Sequence, residues 1–256
     1  MQKLIITFTS ILFLTSISFV YFSAYKDIKK EITLYSKSPS NEDPWDEYDY
    51  YIFAVQWGAN YCEVSSDKEA CFNSLKKIPL FTVSIHGLWP SKQDGSRIKD
   101  CNSGSYIEIE DDGRDPFPKM ETFWPSLSNN GNEYFWKHEY NKHGYCYNKR
   151  EEIDVEDYKK YFSKTIELYE NYKIGDLIKN VVGELPSNST TITMKYDDLY
   201  NGIKKQLGGN YFGLTCKSGY LQEIRIGLNL DFELEEGTIS KSCSGNVKLY
   251  FYYFKK

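Results

Sequence analysis

The three histidines of this chain lie in two short segments. His86 belongs to the segment SIHGLWPS, and His138 and His143 belong to the segment FWKHEYNKHGYC. An imidazole has an ordinary pKa of about 6.5, so it can accept or donate a proton near neutral pH. Histidines grouped in this way predict one site that performs general acid–base chemistry.

If the second segment is helical, it places four polar side chains close together. Glu139 precedes His143 by one turn, and His138 precedes Lys142 by one turn, so each pair is adjacent on the helix surface. We therefore predict that one helix face presents two imidazoles, a carboxylate and an ammonium group.

Signals for the two ends of that helix flank the segment. Asn130 and Glu133 have the spacing of a capping box, which predicts the helix start. Gly144 is suited to a left-handed residue that ends a helix.

A zinc site is the main alternative for the second segment. The zinc pattern H-E-x-x-H places two histidines four residues apart, whereas His138 and His143 are five apart. That spacing rotates them by about 140°, which suits joint contact with a larger substrate better than chelation of one ion. We predict neither a metal nor a cofactor, with a zinc hydrolase as the competing hypothesis.

The first segment predicts a strand that leads into a turn. His86 would follow the strand, Gly87 would open the turn and Pro90 would hold it, with Trp89 exposed as a stacking surface. Loops after strands often carry catalytic side chains. In the competing interpretation Trp89 is a core residue and His86 is a hydrogen-bonded turn residue.

The beginning of the chain resembles an export signal. Lys3 precedes an apolar run from Leu4 to about Ala24, so residues 1–24 are predicted to be a signal peptide, with an uncleaved signal anchor as the alternative. Residues 25–48 form a predicted polar linker, and residues 49–256 form the predicted catalytic domain. Asn188 begins a sequon, which makes it a candidate glycosylation site in an exported protein.

The six cysteines fit disulfide bonds in an oxidising compartment. Six cysteines allow 15 pairings. Their spacing along the chain favours Cys62–Cys71, Cys101–Cys146 and Cys216–Cys243.

The catalytic segments need a scaffold, and the patterning predicts an α+β domain. Helices are expected where apolar residues recur at helical spacing: Tyr158, Phe162, Ile166 and Tyr169, then Leu199, Ile203 and Leu207 before Gly208. Aromatic and β-branched runs predict strands at Tyr50–Gln56, Leu80–Ile85, Tyr220–Phe232 and Val247–Phe254. The fold class is thus a disulfide-bonded single domain with a central antiparallel sheet flanked by helices.

The charge balance narrows the kind of partner. The chain has 31 basic and 36 acidic residues and a net charge of −5. High-affinity nucleic-acid binders usually carry a basic face. A nucleic-acid partner would therefore be held only briefly and locally.

Together the two histidine segments resemble the ribonuclease T2 family. The first active-site motif of that family is matched by His86–Pro90 (HGLWP), and the second by Phe135–Cys146. Further similarity covers Phe53–Cys62 and Leu221–Ile226. The chain departs from the usual family residues at Gly58, Ser91, Tyr140 and Tyr145, none of which is a catalytic group.

The resemblance implies an endoribonuclease that needs no metal. The ribose 2′-hydroxyl would attack the adjacent phosphate of single-stranded RNA, giving a 2′,3′-cyclic phosphate and then a 3′-phosphate. His86, Glu139 and His143 would be catalytic, with His143 as base and His86 as acid or the reverse. His138, Lys142 and Trp89 would bind the phosphate or substrate, and Gln56 and Trp57 are candidates for base contact.

The same resemblance sets expectations for partners and location. RNA is the expected substrate and DNA is not, because DNA lacks the attacking hydroxyl. We expect a monomer without an obligate protein partner, which is exported or delivered to a lysosome or vacuole, with membrane attachment only if the leader stays uncleaved. A non-catalytic recognition or storage module on the same fold is the alternative.

Overall fold

The run YYIFAVQ forms strand β1, Tyr50–Gln56, with the predicted bounds. The computed structural model describes residues 48–77, 83–96, 98, 101, 106–183 and 191–251. The predicted leader, the predicted linker apart from Tyr48, and Asn188 lie outside these residues.

Six strands and a set of mostly short helices make up the described part of the chain. The other strands are β2 (Ser84–Ser91), β3 (Thr191–Lys195), β4 (Phe212–Lys217), β5 (Tyr220–Leu228) and β6 (Asn246–Tyr250). The helices are α1 (Gly58–Glu63), α2 (Lys68–Ser74), α3 (Phe117–Phe123), α4 (Asn132–Glu139), α5 (Tyr145–Arg150), α6 (Tyr158–Tyr172), α7 (Ile174–Val182) and α8 (Tyr196–Leu207). A π-helical segment, Tyr140–Gly144, joins α4 to α5, and a 3₁₀ turn spans Leu75–Lys77.

The strands form one sheet in the order β2-β1-β5-β6-β3, with β4 also paired to β5. Its pairings are antiparallel except for the short parallel contact of β5 with β6. The α+β prediction is confirmed, with that parallel contact as a refinement of the expected antiparallel sheet.

Alternation along β1 separates the two faces of the sheet. Tyr51, Phe53 and Val55 point into the main core, where they meet helix residues such as Tyr161 and Phe162. Burying a large apolar side chain contributes about 1.5–3 kcal/mol, so this face holds the helices against the sheet. The other face of β1 remains available for a pocket.

The two predicted helices are confirmed: the first corresponds to α6 and the second to α8. Gly208 ends α8 in the left-handed conformation, with φ 77°. The predicted strands at Tyr220 and Val247 correspond to β5 and β6. Residues 78–82 and 252–256 lie outside the described part, so the start of the second predicted strand and the end of the last one are not described.

The three predicted disulfides are confirmed: Cys62–Cys71, Cys101–Cys146 and Cys216–Cys243. A disulfide typically contributes about 2–4 kcal/mol by restricting the unfolded chain. Within the described ranges, no helix is long and apolar enough to cross a bilayer.

Candidate active site

A bulge in β2 determines where His86 points. The register of β2 against β1 shifts at His86, which is the extra residue of the pair. In a regular strand His86 and Leu88 would share a face. Instead Leu88 is buried in the core, while His86 lines an open pocket. The bulge thus aims the imidazole toward the pocket. The predicted turn after His86 is wrong, because the strand continues to Ser91.

Buried side chains replace the lost ladder contacts at the bulge. Nε1 of Trp124 donates to the carbonyl oxygen of His86 over 2.9 Å. Nε1 of Trp136, on α4, donates to the carbonyl oxygen of Trp124 over 2.7 Å. The hydroxyl of Tyr161 donates to the carbonyl oxygen of Leu88 at 3.0 Å and accepts from its N–H at 3.3 Å. These bonds fix the strand that carries His86 relative to the helix that carries the other histidines.

The start of that helix differs from the predicted capping box. Helix α4 begins at Asn132, and its N-cap is Gly131, with φ 82° and no side-chain cap. The side chain of Asn132 accepts instead from the N–H of Ser126 over 2.8 Å. The prediction of a capping pair at Asn130 and Glu133 is therefore wrong.

A π segment interrupts the helix in the second histidine motif. Tyr140–Gly144 is π-helical, and the N–H of Tyr145 bonds to the carbonyl oxygen of Tyr140, five residues earlier. Residues five apart approach the same face in such a segment, so His138 and His143 come closer together than on a regular α-helix. Sequence periodicity did not reveal this feature.

Gly144 is needed for packing rather than for a helix end. Its φ is −67°, and the chain continues into α5 without a left-handed residue. A Cβ atom here would lie 2.7 Å from Cδ1 of Tyr161 and would also clash with Tyr140. The predicted helix end at Gly144 is wrong, because the glycine lets the π segment pack against α6.

One pocket of about 590 Å³ collects the polar side chains of both motifs. Its lining includes His86, Trp89, His138, Glu139, Lys142 and His143. The structure therefore brings together, in one pocket, the predicted catalytic residues and the predicted phosphate-binding residues.

Two residues of β5 belong to this site, and sequence reasoning missed both: Arg225 lines the pocket, and Glu223 contacts His86. Oε1 of Glu223 lies 2.5 Å from Nδ1 of His86. Arg225 donates to the other oxygen of Glu223 from Nε at 2.8 Å and from Nη2 at 2.6 Å. The alternation of β5 placed Glu223 and Arg225 on one face, but only the pairing of β5 with β1 brings that face beside His86.

Glu139 is the buried carboxylate of the pocket. One of its oxygens accepts from Nε1 of Trp89 over 2.9 Å, and the other lies 3.8 Å from Nε2 of His86. Gly87 allows this arrangement, because a Cβ atom at that position would collide with both Glu139 and Trp89. Burial raises the pKa of Glu139, although the nearby His86 opposes the rise.

The two central histidines have pKa values displaced in opposite directions. Burial by itself would lower the pKa of His86, but the bond to Glu223 and the negative charges of Glu139 and Glu223 outweigh it, so the pKa is raised. Burial and the positive charge of Lys142 lower the pKa of His143 well below its ordinary value. Burial opposes ionisation of Glu223, yet its contacts with His86 and Arg225 lower the pKa to about 2. Glu223 is therefore a carboxylate, and Nδ1–H of His86 is the donor to it.

Comparison with known proteins identifies the family. The model of the ribonuclease T2 family matches residues 48–243. Ribonuclease DdI of Dictyostelium discoideum is 32% identical over 85% of this chain and 89% of its own length. This chain belongs to the ribonuclease T2 family.

Further relatives agree with this assignment. Ribonuclease 1 of Arabidopsis thaliana is 28% identical over 69% of this chain and 70% of its own. The solved structure of an RNase-related protein from Calystegia sepium superposes with a TM-score of 0.64 at 25% identity, over 80% of this chain and 98% of that one. As a T2 ribonuclease, the protein is an RNA-cleaving endoribonuclease.

Trp89 has a different place in this T2 ribonuclease from the one expected. Its ring is half-buried, with the guanidinium carbon of Arg225 5.2 Å from the ring centroid. Its ring centroid lies 4.9 Å from that of His86 and 5.6 Å from that of His143. Trp89 is thus packed between the imidazoles of His86 and His143 rather than exposed as a free stacking surface, and its Nε1 donates to Glu139.

The two candidates for base contact do not reach this pocket of the T2 ribonuclease. Trp57 is 4% exposed, and its Nε1 donates to the carbonyl oxygen of Tyr250 over 2.9 Å. Gln56 is 5% exposed, and neither residue lines the pocket. The structure therefore does not support base stacking on Trp57, because its ring is part of the core.

The histidines and carboxylates of the pocket do not form a metal centre in the described part of this T2 ribonuclease. No group of three or more His, Cys, Asp or Glu side chains there could hold a metal ion. Glu139 and Glu223 each contact His86, but as partners of its two ring nitrogens.

Proposed function

We propose that this T2 ribonuclease cleaves single-stranded RNA by metal-free transphosphorylation, with His143 and His86 as the proton-transfer groups. The observation that carries the proposal is the opposite charge environment of two imidazoles in one pocket. His86 faces the carboxylates of Glu139 and Glu223, whereas His143 is next to the cation of Lys142. One imidazole is therefore protonated and the other neutral over the same pH range.

In the first step neutral His143 accepts the proton of the ribose 2′-hydroxyl. The 2′-oxygen forms a bond to phosphorus, and the bond from phosphorus to the 5′-oxygen breaks. Protonated His86 donates its Nε2 proton to the departing 5′-oxygen, which leaves as a hydroxyl group. The product is a 2′,3′-cyclic phosphate, and each positioned proton transfer typically contributes about 10²–10⁴-fold in rate.

The second step reverses the two roles. His86 now accepts a proton from water, whose oxygen attacks the cyclic phosphate. His143 returns its proton to the 2′-oxygen as that bond breaks, and a 3′-phosphate results. Both imidazoles then have their starting protonation states.

The remaining polar groups stabilise the charge on the pentacoordinate phosphate. Lys142 supplies a cation, and His138 supplies a hydrogen-bond donor from the same helix. Glu139, held by Trp89, supports the positive charge on His86 when ionised and donates to a phosphate oxygen when protonated. Such preorganised electrostatic contacts are usually the largest contribution to catalysis.

We further propose that the protein acts after export, as a monomer. Its three disulfides are of the kind that persists in oxidising compartments, and this agrees with the predicted leader at residues 1–24. Extracellular space, lysosome and vacuole all fit this composition. Glycosylation at Asn188 and a catalytic domain spanning residues 49–256 belong to the same proposal.

The test is the cleavage of total RNA by the purified, disulfide-bonded protein in the presence of EDTA. His143→Ala should abolish cleavage, whereas Lys205→Ala, on the exposed end of α8, should not change it. Phosphorus NMR of a short substrate should show the cyclic phosphate before the 3′-phosphate. Loss of cleavage in EDTA that zinc restores would overturn the proposal, as would undiminished activity of the His143 variant.

A further inference from the structure

Two exposed tyrosines lie beside the catalytic pocket. Among the residues that the structure describes, Tyr106 and Tyr134 are the large apolar or aromatic side chains that are mostly exposed, at 64% and 60%. Both line a second cavity of about 290 Å³ with Lys137 and His138. Exposed apolar groups mark binding sites when they are contiguous and rimmed by polar residues, and here the two rings share one cavity with two polar side chains.

Neighbouring contacts hold these tyrosines in place. The side chain of Asn141 accepts from the N–H of Ile107 at 2.8 Å and donates to its carbonyl oxygen at 2.9 Å. This pair fastens the segment that carries Tyr106 to the second histidine motif. Tyr134 lies on α4, one turn before His138. Both rings are therefore positioned on supported backbone.

His138 links the second cavity to the first, because it lines both. A strand of RNA whose reacting phosphate lies near His138 therefore has a direct path into the tyrosine-lined cavity. The 590 Å³ pocket already offers room for the reacting phosphate and its flanking sugars, so the second cavity is additional space along the strand.

The charges around the tyrosines favour a base over a phosphate. Nζ of Lys137 lies 5.9 Å from the ring centroid of Tyr106, but it is also paired with the carboxylate of Glu108. That pairing leaves little uncompensated positive charge to attract a phosphate. Aromatic rings, in contrast, stack on any base, because every base has a π face.

We propose that Tyr106 and Tyr134 form a subsite that stacks a base of the RNA substrate beyond the two nucleotides at the cleaved bond. The inference rests on the proposed function, since it extends the same substrate path. The subsite accepts any of the four bases and favours longer RNA over dinucleotides.

The test compares two substrates that contain the same cleavable ribonucleotide. One is a dinucleotide. The other is a hexanucleotide in which all of the remaining sugars lack the 2′-hydroxyl, so that it can be cleaved at one position only. The quantity measured is the ratio of kcat/KM for the hexanucleotide to kcat/KM for the dinucleotide. Tyr134→Ala and Tyr106→Ala should each lower this ratio by about five- to tenfold, the lower part of the range for exposed base stacking.

Two controls separate stacking from other effects. Tyr134→Phe retains the ring and should keep the wild-type ratio. The loss in Tyr134→Ala should be similar at about 50 and about 200 mM salt, because stacking releases few counterions. Thermal melting of each variant shows that the fold is retained.

The outcomes distinguish this inference from the proposed function. If the wild-type protein cleaves neither of the two substrates nor total RNA, the proposed function is overturned. The subsite alone would be overturned if the wild-type protein cleaves both substrates and the alanine variants keep the wild-type ratio of kcat/KM. Equal losses of kcat/KM on both substrates would give that unchanged ratio. A ratio that falls in Tyr134→Phe as much as in Tyr134→Ala would also overturn it.

Discussion

Glu223 accepts a 2.5 Å hydrogen bond from Nδ1 of His86, although 137 positions separate the two residues. The bond directs the other ring nitrogen, Nε2, toward Glu139 and the pocket. Arg225 holds the far oxygen of Glu223, so the carboxylate is fixed from both sides. Glu223 therefore positions the imidazole and helps to raise its pKa.

Replacing Glu223 by Gln should shift the alkaline side of the pH–rate profile. Because Glu223 helps to raise the pKa of His86, its loss lowers that pKa, and the general acid loses its proton at a lower pH. Activity should then decline earlier as the pH rises, with kcat reduced by less than about 10²-fold because proton transfer itself remains possible. The profile of kcat/KM measures this, with Glu236→Gln on the exposed surface as the matched control. An unmoved alkaline limb would contradict the assignment of His86 as the acid.

Replacing Lys142 by Ala should shift the acidic side instead. Lys142 is among the causes that lower the pKa of His143, so its removal raises that pKa. The base then becomes protonated at a higher pH, and the acidic limb moves toward neutrality. Lys205→Ala, which removes an equal charge far from the pocket, should leave both limbs in place. Movement of the alkaline limb alone would reverse the roles of the two histidines.

Two tryptophan substitutions separate a catalytic contact from a packing contact. Trp89→Phe removes the donor to the buried carboxylate of Glu139, and we expect kcat to fall by about 10- to 100-fold, equivalent to about 1.4–2.7 kcal/mol. Trp57→Phe removes a donor to the carbonyl oxygen of Tyr250, so it should lower the melting temperature while KM stays constant. A raised KM in the Trp57 variant would restore that residue as a base contact.

The pair of His86 and Glu223 should also make stability depend on pH. Glu223 has a pKa of about 2 in the folded protein against an ordinary value of 4.5, so its contribution to stability is full above pH 4.5 and is lost as the pH falls toward 2. The pKa of His86 is raised in the folded protein. The contribution of His86 to stability is therefore full below the ordinary pKa of histidine and is lost as the pH rises through the raised pKa.

The difference in unfolding free energy between wild type and Glu223→Gln should therefore be largest between those limits. We expect about 1.5–3 kcal/mol there, as for hydrogen bonds to charged groups. Urea unfolding at several pH values measures it. A difference independent of pH would show that the ion pair is not its source.

Local patterns were enough to predict many elements of this molecule. The aromatic and β-branched run of β1 and the apolar repeat of α6 each occur within one stretch of chain, and the cysteine spacing favoured the three disulfides. Features that depend on distant partners were not predicted. Glu223 contacts His86 only because β5 pairs with β1, and Trp57 is buried only because β6 ends beside it.

The π segment sets the spacing at which the second histidine motif can present its two imidazoles together. If Tyr140–Gly144 were wound as a regular α-helix, everything after it would rotate by about 100°. His143 would then leave the face that His138 occupies, and Cys146 would turn away from Cys101. We therefore expect a relative that lacks the π turn to carry these two histidines four residues apart, the spacing at which a regular α-helix places them side by side.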